Sequence, residues 1–546
     1  MKQISKSTLE IFDQIDRKHF GLFKFLSDPE DLKTLLFKIE ESGDIYAIPG
    51  LLIFLLNIDK PKALLIAETI DHLLSQIPVI NLPLFDEQLR MVYQYTRFYD
   101  ARYLDWYKIS PRRVPSVLDF GEFASSLLGV LSFHNNGYVR EAATMLLAAI
   151  RDGSEVPYLL LRVNDWVSEI REVARKTLLD RCVLEYAVHF NKNLPLVMRL
   201  ERSDRSDHSH LINSIMSQLE KEDSWNILLA GIQSEEMVER RAAFFLAVRS
   251  SNSKLVMRVI ELGIQSQDAL IRVRSAQKVN LITNPDQLAG ALSVLRIDPF
   301  MPVRRAALMH YVEISAENVF DELYKALLDK HISIREFARY HLNRMEPMDF
   351  GAYYREVLCN GEKAQIYAAV GGIGETGVSG DDFLVLPFVN HRLVRIRVAA
   401  LRALAKLNLT QHSKTFVACL EDESPKVSRE AARALTQSRD FISHQEKIWR
   451  LVEGDSAGHV KLNAFAILCK LSKWDSIYYL LKSSGLKDEM IQERAKIAMR
   501  IWWSSYNRSF TKPNEFQKKR IREELDNNPS KGRTRESLED IFRTLK

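Results

Sequence analysis

Apolar side chains in this chain recur with a helical period nested inside a longer one. In the stretch VRIRVAALRAL, residues 394–404, Ile396, Ala400 and Leu404 stand four residues apart. That spacing puts them on one stripe of an α-helix. The same large–small–large triplet returns as Val139, Ala143, Leu147; Ile170, Ala174, Leu178; Val238, Ala242, Leu246; Val303, Ala307, Tyr311; and Ile334, Ala338, Leu342. It continues as Val427, Ala431, Leu435; Val460, Ala464, Leu468; and Ile491, Ala495, Met499, with Ile271, Ser275, Val279 as a looser copy. Adjacent copies lie 31 to 33 residues apart. Two gaps are twice as wide, and each holds a degenerate copy, one near Asp207 and one near Ala364 and Ala368.

Upstream of each stripe sits a second apolar segment, such as VPYLLLRV or WNILLAGI, followed by a polar turn. Nine of the ten clear copies carry Asp, Asn or Glu three to five residues before the first stripe residue, where helix caps belong. Each unit is therefore predicted to be helix, turn, helix. A single unit leaves an apolar face wet, and stacking buries that face against the next unit. The small middle residue lets a neighbouring backbone approach closely.

This repeat resembles the HEAT family, including the shorter HEAT-like repeats of phycobilisome lyases, over residues 116–505. The resemblance implies an all-α, right-handed α-α superhelix of about 12–13 helix pairs with divergent capping ends. It also bears on the arginines. The residue after the first stripe position is Arg140, Arg171, Arg272, Arg304, Arg335, Arg397 or Lys461 in seven of ten copies, often with an acid upstream, as Asp298 precedes Arg304 and Asp329 precedes Arg335. In HEAT proteins a similar Asp/Arg pairing ties successive turns together, so these seven are expected to form a structural ladder. A row of ligand-facing cations is the competing reading.

The flanks are less regular. Residues 1–42 are expected to supply N-terminal capping helices. Residues 43–80 form a divergent first repeat, and 81–115 an aromatic and arginine-rich insertion. Residues 506–546 form a charged helical tail. Within the insertion, RMVYQYTRFYDARYLDWYKISPRR, residues Tyr95, Tyr99, Arg102 and Trp106 would share one helical face. Rings beside guanidinium groups suit a partner-binding surface, so these four are the candidate contact residues.

Composition narrows the function. The chain has 76 Lys/Arg and 71 Asp/Glu, a formal charge of +5, and the segment after residue 504 holds 11 Lys/Arg and 7 Asp/Glu. The array itself is thus near neutral, unlike a dedicated nucleic-acid binder. Cys182, Cys359, Cys419 and Cys469 are too far apart in sequence for a CxxC site. No leader-like apolar start and no span-length apolar run is seen, so a cytoplasmic protein without a membrane span is expected. No GxxxxGK[ST] or HExxH motif occurs, and no His is followed by Glu, unlike the iron-binding pairs of deoxyhypusine hydroxylases. The pattern Gly372-x-Gly374-x-x-Gly377 follows a repeat helix rather than a strand, so it reads as an inter-repeat loop and not a dinucleotide site. Asp207, His208 and His210 read as a helix cap. No catalytic, cofactor or metal residues are assigned. The expected function is a non-enzymatic scaffold or adaptor that binds a protein partner. The alternatives are a nucleic-acid-binding HEAT-like protein of DNA-glycosylase type, and a HEAT-like lyase or chaperone for a cofactor-bearing protein.

Overall fold

The computed structural model describes residues 4–20, 29–95, 105–314, 318–438, 440–508, 511–527 and 538–539. The chain forms two compact units, residues 1–307 and 308–546, and the division falls inside the Met301–Glu313 helix. Each unit is built from helix pairs of HEAT-like type, and the described residues include no strand.

Burial follows the stripe. All of its residues in the ten clear copies are buried except Val238 and Met499, which are half-buried. The small middle position has a visible cause. Ser275 faces Gly263 of the preceding helix so closely that a Cβ on Gly263 would overlap its hydroxyl. A longer side chain at such a place would have to push two helices apart.

In residues 1–307 the chain opens with helices Lys6–Ile15 and Pro29–Ser42, and a first pair follows, Ile48–Asn57 with Lys60–Ser75. Asp59 caps the second helix of that pair, accepting the Lys62 N–H. The insertion contributes a helix, Leu82–Tyr95, and a 3-10 segment, Pro111–Phe123, broken at Gly121, where φ is +57°. The run Pro111–Leu131 has the length and apolarity to cross a bilayer, yet Val114, Val117, Leu127 and Leu128 are wholly buried in the protein. Regular pairs then run from Ala124–Leu131 with Gly137–Ala149 to Ser253–Ile264 with Ala269–Gln277. The degenerate copy near Asp207 breaks this rhythm. A seven-residue helix, Leu194–Leu200, is followed by an irregular stretch before Ser209–Leu219 begins.

In residues 308–546 the pairs are more even, from Val319–Ala326 with Ile332–Met345 to Lys473–Ser484 with Glu489–Ser504. The tail adds a helix, Glu515–Asp526, opened by a capping box between Asn514 and Gln517, with Ile521 and Leu525 buried.

The glycine pattern is not a loop. Gly371, Gly372 and Gly374 lie inside the helix Ile366–Thr376. Gly372 lies under the Tyr354 ring, and a Cβ on Gly374 would stand 2.6 Å from Ala403 Cα. The glycines are there to bring helices together, a use that glycine's missing side chain allows and that a sequence pattern alone cannot separate from a turn.

Candidate functional site

Four of the recurrent bases, Arg140, Arg272, Arg335 and Arg397, share one geometry, a carboxylate and a turn carbonyl held by one guanidinium. Arg140 gives Nε and Nη2 to the Asp165 carboxylate of the next unit, at 3.0 and 2.9 Å, and Nη1 to the carbonyls of His134 and Asn135. Arg272 does the same with Asp298, at 2.7 and 3.2 Å, and with the carbonyls of Ser266 and Gln267. Arg335 pairs with Glu375 and donates to the Asp329 carbonyl. Arg397 reaches Asp422 at 2.8 Å and the His391 carbonyl, and Lys461 reaches Asp488 at 3.0 Å. Arg171 donates to the carbonyls of Asp165 and Trp166, and Arg304 to those of Asp298 and Pro299. In the Val238 unit two residues divide the work: Arg240 takes the carbonyls of Ser234 and Glu235, while Arg241 takes Asp268 at 2.6 Å.

The acids have two jobs as well. Asp165, Asp298, Asp329 and Asp422 each accept the N–H two residues onward, which closes the turn between paired helices. Asp298 thus holds its own turn, receives Arg272 from the unit before, and lends its carbonyl to Arg304 of its own unit. These cations are used inside the fold.

The rung at Asp165 is the most elaborate. Arg90 and Arg162 also reach its carboxylate, each at 3.2 Å, and both bind Asp86. Burial by itself would raise the Asp165 carboxyl, but Arg140, Arg162 and Arg90 together hold it well below the usual carboxylate range.

The four candidate contact residues are not brought together on a described surface. Tyr95 ends the helix Leu82–Tyr95, and Tyr99 and Arg102 lie outside the described residues. Trp106 is fully buried, with its ring 4.9 Å from that of His134 and its carbonyl accepting His134 Nε2 at 2.7 Å. It is a core residue, which corrects its reading as a surface contact. An amphipathic pattern cannot tell which neighbour covers a ring.

No group of three or more His, Cys, Asp or Glu is placed to hold a metal ion among the described residues. Asp207 accepts the Ser209 N–H at the start of the Ser209–Leu219 helix. Burial pushes the thiols of Cys182 and Cys419 up to about 11 and that of Cys469 to about 12, so all three stay protonated and weakly nucleophilic at neutral pH.

A groove opens instead where the repeat rhythm fails. With the Leu194–Leu200 helix short and residues 201–208 irregular, a cavity of about 900 Å³ is left beside the Met237–Ala247 helix. Its apolar lining includes Ile80, Leu196, Met198, Met237 and Phe245. Arg199, Arg202 and Arg205 stand over it. Among the described residues no carboxylate lies within ion-pair distance of these three, whereas the neighbouring Glu201 is engaged by Arg249 and Arg241 by Asp268. A second cavity, about 270 Å³, shares Leu196, Arg199 and Arg205 and extends to Asp86 and Arg90. Trp166 lines that extension with 70% of its surface exposed, and the Arg205 guanidinium lies 4.0 Å from its ring. Sequence reading passed over this site because it sits where the repeat is weakest. The available signal was the arginine-rich run RLERSDRSD inside a gap of double width.

No family model matches the chain, and no curated protein matches it. Several solved structures align with it. One is a structure of microtubule polymerases with TOG-domain arrays, concerned with tubulin recruitment and assembly, at 11% identity over 68% of this chain and 99% of that one, with a TM-score of 0.22. Kap121p aligns at 12% identity over 96% of this chain and 56% of its own, with a TM-score of 0.22. UNC-45 from Drosophila melanogaster aligns at 11% identity over 97% of this chain and all of its own, also at 0.22. The description of the fold rests on the stacked helix pairs, their buried stripe and the Arg/Asp rungs between them.

Proposed function

We propose that this chain is a non-enzymatic scaffold or adaptor that recognises a partner protein, working in the cytoplasm, where its well-separated cysteines would stay reduced. The observation that carries the reading is the groove beside the Met237–Ala247 helix. Together with the adjoining smaller cavity, which exposed Trp166 lines, it combines Met198, Met237 and Phe245 with Arg199 and Arg202, two cations without a carboxylate partner among the described residues. Tryptophan, arginine and methionine over an apolar floor are the side chains that anchor protein interfaces. The repeated arginines of the array add no phosphate-binding stripe, because their donors are spent on carboxylates and turn carbonyls.

The test is affinity capture from the native cell with the full chain and with a Trp166→Ala/Arg202→Ala variant, compared by mass spectrometry. Both side chains are exposed, so circular dichroism should show an unchanged helix signal. The variant should lose a specific partner by on the order of thirtyfold, the effect of removing an interface anchor worth about 2 kcal/mol. If it keeps every partner, the groove is not the recognition site. The nucleic-acid alternative makes the opposite prediction: RNA or DNA binding that falls steeply as salt rises.

A further inference from the structure

The groove beside the Met237–Ala247 helix has two chemically different parts. Its floor is apolar and recessed, with Leu196 and Ala242 both buried there. Half-buried Met198 and Phe245 and exposed Met237 and Ile80 form its sides. Beyond Ile80 the apolar surface continues at exposed Leu84, four residues on. The rim, residues 199–205, is charged. There Glu201 is held by Arg249 at 2.9 Å, and Arg205 donates to the Asn164 carbonyl at 3.1 Å while its guanidinium lies over the Trp166 ring. Arg241, lower in the groove, is held by Asp268. What remains is Arg199, Arg202 and Arg205 against Asp204, three cations to one carboxylate, with no ion pair among them.

We propose that this groove takes an amphipathic helix of the partner protein, its apolar stripe on the floor and the acidic side chains beside that stripe on Arg199 and Arg202. The inference rests on the scaffold reading and names the chemistry of the partner. The ligand must carry apolar bulk and negative charge side by side. An inorganic anion or a nucleic-acid backbone would meet the arginines and leave the floor wet, whereas apolar surface stabilises a complex only when it is covered. A bilayer surface is flat and does not reach Leu196 and Ala242 below the rim. The walls decide the form of the ligand. Two of them are the sides of helices, Leu194–Leu200 and Met237–Ala247, which present side chains rather than free N–H and C=O groups. An extended peptide would find few main-chain partners there, while a helix arrives with its own backbone bonds made. Met198 and Met237 suit such a guest, since unbranched thioether chains repack around an incoming apolar stripe.

The probes are three fluorescein-labelled peptides of about 18 residues, five helical turns, titrated with the full-length protein by fluorescence anisotropy. The first has a leucine stripe at helical spacing flanked by glutamates, with alanine and glutamine elsewhere. The second replaces its glutamates by glutamine, and the third shuffles the first so that no stripe forms. The acidic striped peptide should bind at least about tenfold tighter than either control. Arg199→Glu/Arg202→Glu should erase its advantage over the neutral striped peptide and leave the neutral one within about twofold. Met198→Gln/Met237→Gln, which changes polarity and not charge, should weaken both striped peptides at least about fivefold. Equal binding of the neutral or the shuffled peptide overturns the proposal, as does no binding of the acidic one. Displacement of the acidic peptide by single-stranded oligothymidylate overturns it in favour of nucleic acid. Sedimentation with phosphatidylserine vesicles that is lost in the methionine variant overturns it in favour of a membrane. Partner capture that depends on Trp166 and Arg202 while the acidic helix fails to bind would sink this inference and leave the scaffold reading standing. Capture that survives Trp166→Ala/Arg202→Ala would sink the scaffold reading at this groove, whatever the peptides do.

Discussion

Two rungs of one ladder occupy very different surroundings. In residues 1–307 the Arg140 and Asp165 side chains are 5% and 0% exposed, joined by two hydrogen bonds, and Arg90, Arg162 and Asp86 complete the cluster. In residues 308–546 the Lys461 and Asp488 side chains are 15% and 26% exposed and meet through a single contact of 3.0 Å. The sequence motif is the same in both: a base just after the first stripe residue, and an acid one unit later. What differs is water. A buried, multiply bonded carboxylate cannot lose its partners cheaply, whereas a wet pair can replace each partner with solvent. One motif therefore supplies both a structural lock and a minor tether.

The sharpest way to break this comparison is at the buried end. Asp165→Ala removes the acceptor for Arg140 and leaves Arg140 and Arg162 as buried cations with fewer partners. It also opens the turn that Asp165 closes on the Val167 N–H. The expected cost is about 3–5 kcal/mol, read as a shift in the denaturant midpoint of the transition that reports residues 1–307. A cost below about 1 kcal/mol, the range of an exposed pair, would show that burial does not set the weight of a rung.

How far the ladder could be read from sequence follows from the same residues. The stripe was legible because burial enforces a spacing of four, and Val427, Ala431 and Leu435 are all wholly buried as that spacing requires. The base after the first stripe residue was equally visible. Its partner was not, because an acid such as Asp298 gives its carbonyl to Arg304 nearby and its carboxylate to Arg272 some 26 residues back. Spacing within one unit cannot separate those two bonds. Trp106 shows the opposite limit: aromatic and basic composition suggested a surface, but its cover, His134, comes from another unit. The groove at Met198 and Met237 was marked in the sequence only by the arginine-rich run 199–207, for a further reason. It is made by a failure of the repeat, and a search for regularity discards that stretch.

A smaller effect on the buried rung comes through pH. His134 accepts the Asn136 N–H at Nδ1 and donates Nε2 to the Trp106 carbonyl, so both ring nitrogens are fixed in the neutral form. Burial holds its pKa below the ordinary 6.5, and the Arg140 guanidinium pushes the same way. The unfolded chain binds a proton near pH 6.5 that the folded chain refuses. The His134 contribution is therefore complete above about pH 6.5 and is lost as pH falls toward its lower folded value. His134→Gln, which can keep the donor to Trp106, should flatten the fall in stability between about pH 7 and pH 5. Parallel curves for the two proteins would remove His134 from the account.

The smallest expected change lies at the wet end of the comparison. Lys461→Ala deletes the base that meets Asp488, but Asp488 keeps its other task. It caps the Glu489–Ser504 helix by accepting the Ile491 N–H at 3.2 Å. Water can replace the ammonium at a carboxylate that is a quarter exposed. The cost should stay below about 1 kcal/mol and shrink further as salt is raised, because the surviving attraction is screened. Asp488→Ala should cost more than Lys461→Ala, since it removes the cap as well, by about 1 kcal/mol. That inequality separates the two jobs of the acid within one residue. If the two substitutions cost the same, capping adds nothing at this turn, and the double role seen in the hydrogen bonds of Asp165 and Asp298 does not extend to the end of the array.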